Sequence, residues 1–208
     1  MKRILSLLGS VIARFVPIRF CRLAKSAYSY IKSGYYLYGF KYVGDSSTIE
    51  TPNVIQGKEC ITIGCHSSIL EGIVLTAITK WREFYFSPQI IIGNNVGIGR
   101  KGHITSINKI EISDNVLIGA YVTITDHAHG SSCIDMMPPA NRELISGGAV
   151  FIGKNVWIGD KVTILSGVSI GEGTIVGANS VVTKSLPAYS VCAGNPARII
   201  KKMANKNE

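Results

Sequence analysis

The sequence predicts an all-β fold of stacked three-sided coils, and three observations carry that prediction. First, Ile152, Ile158, Ile164, Ile170, Val176 and Val182 fall every sixth residue, and an aliphatic or small residue sits two places before each (Val150, Val156, Val162, Val168, Thr174, Ser180). A helix would repeat at about 3.6 residues and a half-buried strand at about 2, so a period of six belongs to a supersecondary unit copied along the chain. Second, the register recurs upstream. Val43, Ile49, Ile55 and Ile61, then after a two-residue slip Ile63, Ile69 and Leu75, are matched 49 places later by Ile92, Ile98, Ile104, Ile110, Ile112, Ile118 and Ile124, with the slip at the same point. Third, Gly64, Gly93, Gly99, Gly119, Gly153, Gly159, Gly171 and Gly177 directly follow inward residues. With Asn94, Asn95, Asn115, Asn155 and Asn179 they supply corners, where positive φ or close backbone approach is needed.

Three short strands per turn, each pointing one aliphatic side chain inward, satisfy the period, and successive coils then pair at a spacing of about 4.8 Å. With 208 residues and 46% hydrophobic content the chain can build one sizeable core, and no linker-like tract divides it. Three segments result: 1–42, a coil domain over 43–196, and a tail, 197–208, expected to form a short helix. Five scattered cysteines without a C-x-x-C pair argue against a disulfide framework and for a reducing cytoplasm.

The net charge of +9 is concentrated at one end: eight basic residues and no acidic one precede Asp45. Two basic amphipathic helices are expected here. In the first, Ile4, Leu5, Leu8, Val11, Ile12 and Phe15 oppose Lys2, Arg3 and Arg14; after Pro17, Leu23, Ala24, Ala27, Tyr28 and Ile31 oppose Arg19, Arg22, Lys25 and Lys32. Such helices suit the headgroup region of an anionic membrane, and would suit packing on the coil or a neighbouring subunit equally well. The apolar run 4–13 is too short to span a bilayer, and the flanking arginines fit a signal peptide poorly. No nucleic-acid-binding module accompanies the basic segment.

A stacked prism offers few clefts, so chemistry is expected in the loops that leave it, 76–90 and 125–149. The second begins Asp126-His127-Ala128-His129-Gly130. Pro138, Pro139 and Arg142, the run Asn155 to Gly159 and the run Gly194 to Arg198 follow in order. These motifs and the repeat resemble the hexapeptide-repeat acetyltransferases, in particular the sugar and polysaccharide O-acetyltransferases. The resemblance implies a left-handed parallel β-helix, a homotrimer, and acetyl-CoA as cosubstrate in a groove between subunits, with no metal required. It implies His127 as catalytic base, with His129 as alternate or acceptor holder. Asp126 and Glu143 are candidates to orient the imidazole, and Arg142 and His103 to support the acceptor. Trp157, Asp160, Ala178, Thr183, Lys184 and Arg198 match positions that contact the coenzyme. His66 reads as a turn residue.

The chemical need is modest. A sugar hydroxyl is a poor nucleophile while a thioester is already activated, and a neutral imidazole, with an ordinary pKa of about 6.5, can take the hydroxyl proton and return it to the departing thiolate. The function that the resemblance implies is O-acetylation of a saccharide, lipid-linked or nucleotide-linked, in capsule, O-antigen or exopolysaccharide assembly. The N-terminal residues 1–32 would bring it to the inner face of the membrane. Alternatives are N-acetylation of a nucleotide-linked amino sugar, acetylation of a xenobiotic, a zinc enzyme resembling γ-carbonic anhydrases with His103, His127 and His129 as ligands, and a non-catalytic scaffold.

Overall fold

The computed structural model describes residues 18–130 and 137–203, with side chains of the first helix from Ser26 onward. Within them the chain winds through three parallel sheets in rotation. Tyr42–Val43 lies on a first face, Thr48–Ile49 on a second and Val54–Gln56 on a third; Ile61–Ile63 then returns to the first face beside Tyr42–Val43. Six circuits follow one another in this way.

The sixfold period in the sequence becomes vertical columns in space. On the second face Ile49, Ile69, Ile98, Ile118, Ile158, Val176 and Cys192 stand in pairing register, all buried. Ile104, Ile124, Ile164 and Val182 do the same on the third. Each such side chain contributes about 1.5–3 kcal/mol by leaving water. Both faces of every strand need not be apolar, because only one side of a coil looks inward.

The corners divide the work between two residue types. The glycines that follow inward residues are places of close approach: a Cβ on Gly99 would lie 2.5 Å from the Gly119 carbonyl carbon. Left-handed backbone falls two residues further on, at His66, Asn95, Asn115 and Asn155 between the first and second faces, and at Lys101, Tyr121, Lys161 and Asn179 between the second and third. Their N–H groups donate to the preceding coil, as from Asn115 to the Asn94 carbonyl (2.9 Å). His66 is thus a turn residue. Asn94 acts differently, its Oδ1 accepting the Cys65 N–H at 2.8 Å.

The third corner, between the third and first faces, takes all the irregularity. Ile104 and Ile112 are eight residues apart across it, whereas Ile164 and Ile170 are six apart. The phase slip therefore sits at this corner, and both loops leave the prism along the same edge.

Each end of the prism is covered. At the first coil the helix Ile18–Leu37 docks by its last turns: Ser33 is buried, its Oγ accepting the Ile49 N–H at 2.8 Å, and Tyr36, Leu37 and Phe40 pack on the core. Lys58 Nζ donates to the Tyr36 and Tyr38 carbonyls (2.8 and 2.9 Å). Of the apolar side expected from the sequence, the described members Ala27, Tyr28 and Ile31 do not dock on the coil and remain exposed, Ile31 at 75%. The side that docks carries Ser33, Tyr36 and Leu37, three and four residues apart, and Ile31 lies about 200° round the helix from Ser33. The other expected helix, before Pro17, lies outside the described residues.

At the last coil the expected C-terminal helix is corrected. Residues Ala197–Lys202 form a strand, antiparallel to Ser190–Gly194, with Arg198 opposite Ala193. The final strand of the second face would otherwise expose a row of unpaired backbone groups, and the β-branched Ile199 and Ile200 suit a strand that meets them. Residues 204–208 of the tail lie outside the described set.

Candidate active site

Asp126 is the first residue beyond the third-face strand Thr123–Thr125, and it is completely buried. Its Oδ2 accepts from Ser106 Oγ (2.5 Å) and the Asn108 N–H (2.9 Å), and its Oδ1 from the Ile107 N–H (2.9 Å). All three donors belong to the third corner of the preceding coil, so the loop is anchored to the prism by one carboxylate. The same Oδ1 lies 3.0 Å from His127 Nδ1. Burial alone pushes the Asp126 carboxyl up; hydrogen bonds from His127, Ser106, Ile107 and Asn108 outweigh it and hold the group below the ordinary carboxylate range. An ionised carboxylate at Nδ1 places the ring proton there and leaves Nε2 with its lone pair. Thr125 Oγ1 donates to the His127 carbonyl at 3.0 Å, and the imidazole side chain is 8% exposed.

His127 then opens an antiparallel hairpin, His127–His129 with Leu144–Ser146, in which His127 faces Ser146 and His129 faces Leu144. Gly130 ends it with φ +81°, its N–H donating to the Glu143 carbonyl at 2.9 Å. A Cβ on Gly130 would collide with the aliphatic stem of Arg142. The glycine of the D-H-x-H-G box and the arginine of the P-P-x-x-R segment are therefore two sides of one packing contact. Arg142 Nε donates to the Met137 carbonyl at 2.8 Å.

The first loop braces the second. It folds as a hairpin, Lys80–Trp81 with Phe84–Tyr85. Trp81 Nε1 donates to the Arg142 carbonyl (3.2 Å), its ring meets the His129 ring edge-on at 5.2 Å, and Arg82 Nε donates to the Ala140 carbonyl (2.8 Å). Trp81 and Ser106 are not among the sequence-predicted site residues. A signal for Trp81 was present, since two loops leaving equivalent positions of the repeat must emerge on one edge. Ser106 has a weaker one, a hydroxyl in register with Ala77 of the coil before.

The remaining candidates separate. Asp126 meets the imidazole, whereas Glu143 is exposed at the far end of the hairpin and lines an open cleft. His103 opens the third-face strand that Ser106 closes, so it stands at the opposite corner from His127, in a different cleft of about 750 Å³ with Lys101, Glu71 and Tyr121. Among the described residues no three His, Cys, Asp or Glu side chains are grouped to hold a metal ion. Lys184 and Arg198 line one cleft of about 390 Å³, brought together by the C-terminal strand. Trp157, 52% exposed, lies outward on the second face between Leu117 and Ile175. Asp160 Oδ1 accepts the Ala120 N–H at 2.8 Å, a corner bond, and Ala178 and Thr183 are exposed.

Residues 149–184 match the family described as bacterial transferase hexapeptide (six repeats). That stretch carries the six-residue repeat in its unbroken form. Across 119 residues the chain is 46% identical to WbbJ of Escherichia coli (strain K12), assigned by its name to lipopolysaccharide biosynthesis as an O-acetyl transferase. The match takes in 54% of this chain and 60% of WbbJ, so it spans less than two thirds of that relative's length. Among solved structures, AntD, an N-acyltransferase from Bacillus cereus in complex with dTDP and coenzyme A, superposes with a TM-score of 0.64 at 25% identity, over 80% of this chain and 86% of that one. A hexapeptide-repeat-containing acetyltransferase of Vibrio cholerae O1 biovar eltor, complexed with acetyl coenzyme A, gives 0.56 at 25% identity, over 80% and 73%. The hexapeptide repeat in this chain extends beyond the matched stretch, since residues 42–125 carry the same columns.

Proposed function

We propose that this protein is an acetyl-CoA-dependent O-acetyltransferase that modifies a sugar hydroxyl during assembly of a cell-surface polysaccharide. One observation carries the reading: on a hexapeptide-repeat scaffold, the first loop histidine, His127, is held at Nδ1 by the buried carboxylate of Asp126 at 3.0 Å. Nε2 takes the acceptor hydroxyl proton as the new C–O bond forms at the acetyl carbonyl carbon; the adduct then collapses with cleavage of the C–S bond, and the proton passes to the thiolate. Asp126 offsets the charge of the transient imidazolium. The cations Lys184 and Arg198, which line one cleft, suit the phosphates of the coenzyme, and Trp157, Asp160, Ala178 and Thr183 are assigned to the rest of the coenzyme by the resemblance of their positions.

The quaternary and cellular parts of the proposal rest on the family resemblance and on the basic N-terminal segment. The coil is left-handed and the protein is a homotrimer with acetyl-CoA between neighbouring subunits. It acts on the cytoplasmic side, its basic N-terminus meeting an anionic membrane. No helix among the described residues is long and apolar enough to cross a membrane; the contact proposed is peripheral. Removing residues 1–32 should abolish flotation with anionic liposomes; unchanged flotation refutes that contact.

A second reading has its own support. AntD is an N-acyltransferase, which favours an amine on a nucleotide-linked sugar as acceptor. Incubation with acetyl-CoA and a panel of lipid-linked, nucleotide-linked and free saccharides, following thiol release and then treating the product with mild alkali, separates the two. The proposal expects an alkali-labile acetyl ester. An alkali-stable acetamide decides for the second reading, and no thiol release with any acceptor removes both.

A further inference from the structure

Between the two loops lies an open cleft of about 570 Å³ whose lining includes Tyr85, Phe86, Asn108, Glu143, Ile145 and Ser146. We infer that this cleft binds an uncharged sugar ring of the acceptor; the inference rests on the acetyl-transfer reading for its role, though not for its test. Its position is the first argument. Asn108 gives its backbone N–H to Asp126, and Ser146 stands opposite His127 in the hairpin, so the cleft opens beside the corner that carries the imidazole.

Its chemistry is the second. Tyr85 and Phe86 supply flat apolar surface, which suits the C–H face of a pyranose, and the Tyr85 ring carries the Lys80 ammonium at 4.8 Å from its centroid while remaining largely exposed. Around it are an amide, hydroxyls and a carboxylate. The Asn108 Nδ2 bond to Ser146 Oγ is long, 3.3 Å, and uses one of the several donor and acceptor sites of that amide, leaving the rest for ligand hydroxyls.

Charge is the third. Among the described residues the cleft lining contains Glu143 and no Lys, Arg or His. A phosphate or nucleotide would meet the Glu143 carboxylate there, with the Lys80 ammonium already held over the Tyr85 ring, whereas a neutral hydroxyl donates to that carboxylate. A phosphate carried by the acceptor therefore lies outside this cleft, and the cations that suit phosphate are gathered elsewhere, at Lys184 and Arg198.

The test uses the full chain without acetyl-CoA. Saturation-transfer NMR is run with a panel of neutral methyl hexosides and N-acetylhexosamines, with inorganic phosphate and dTDP as anionic competitors. At least one neutral glycoside should bind, its affinity falling about tenfold in Tyr85→Ala and in Glu143→Gln, the loss of one well-made contact, and neither anion should displace it. Both side chains are exposed, and circular dichroism checks that the variants keep the fold. Absence of binding by every glycoside, binding untouched by both substitutions, or displacement by dTDP overturns the inference. Because no acetyl donor is present, such a failure leaves acetyl transfer standing; glycoside binding with no acetyl transfer to any acceptor would do the reverse.

Discussion

A carboxylate with no exposed surface is costly unless its charge is met, and Asp126 meets it with Ser106, two backbone N–H groups and the His127 ring. Two consequences belong to this residue. Its folded pKa is depressed below 3.8, so its contribution is fully present above the ordinary carboxylate range and is lost as pH falls through the folded value. The thermal midpoint of the wild type should therefore drop on acidification below about pH 4, and that limb should flatten in Asp126→Asn, as read by calorimetry across a pH series. The same substitution should lower kcat, by depriving Nδ1 of its acceptor, more than it raises KM. Ser106→Ala removes one donor to the buried carboxylate and should cost about 1–3 kcal/mol in chemical denaturation. Asp126 and His127 were legible because the D-H-x-H-G box names them. Ser106 and Trp81 were signalled only indirectly, because a repeat tells which face a side chain occupies and leaves open what meets it from the next coil or the other loop.

Among elements, corners and caps differ in what they tolerate. Gly99→Ala would press a methyl onto the backbone of the next coil, 2.5 Å from the Gly119 carbonyl carbon, and backbone in a stack cannot step aside. Gly34, on the exposed side of the Ile18–Leu37 helix, has nothing among the described residues within 4 Å of a built Cβ. Gly34→Ala should raise stability by up to about 1 kcal/mol while Gly99→Ala lowers it, and paired thermal melts would show the opposite signs. The left-handed corners show where sequence reasoning reached its limit. Asn is an expected occupant, but Lys101, Lys161 and Tyr121 take the same conformation because inter-coil hydrogen bonds impose it. The C-terminal strand was missed for a related reason: the need to pair the last strand's edge is tertiary, and the residues 197–202 do not announce it.

For the molecule as a whole, the hydrophobic period revealed the prism almost completely. Column residues such as Ile118 touch the coil before and the coil after, so truncation should propagate: Ile118→Ala should cost about 2–5 kcal/mol, read in denaturant unfolding. The third corner was legible only as a phase slip, and its meaning came from seeing that the slip and both loops share one edge. That edge gathers the buried carboxylate, the imidazole and the inter-loop cleft, and a rigid stack keeps them in place. Acceptor-dependent release of coenzyme A from acetyl-CoA, compared between the wild type and His127→Ala at equal folded concentration, tests this most directly. A fall in kcat of about 10²- to 10⁴-fold with the thermal midpoint unchanged is the predicted result, and near-normal turnover by the variant would contradict it.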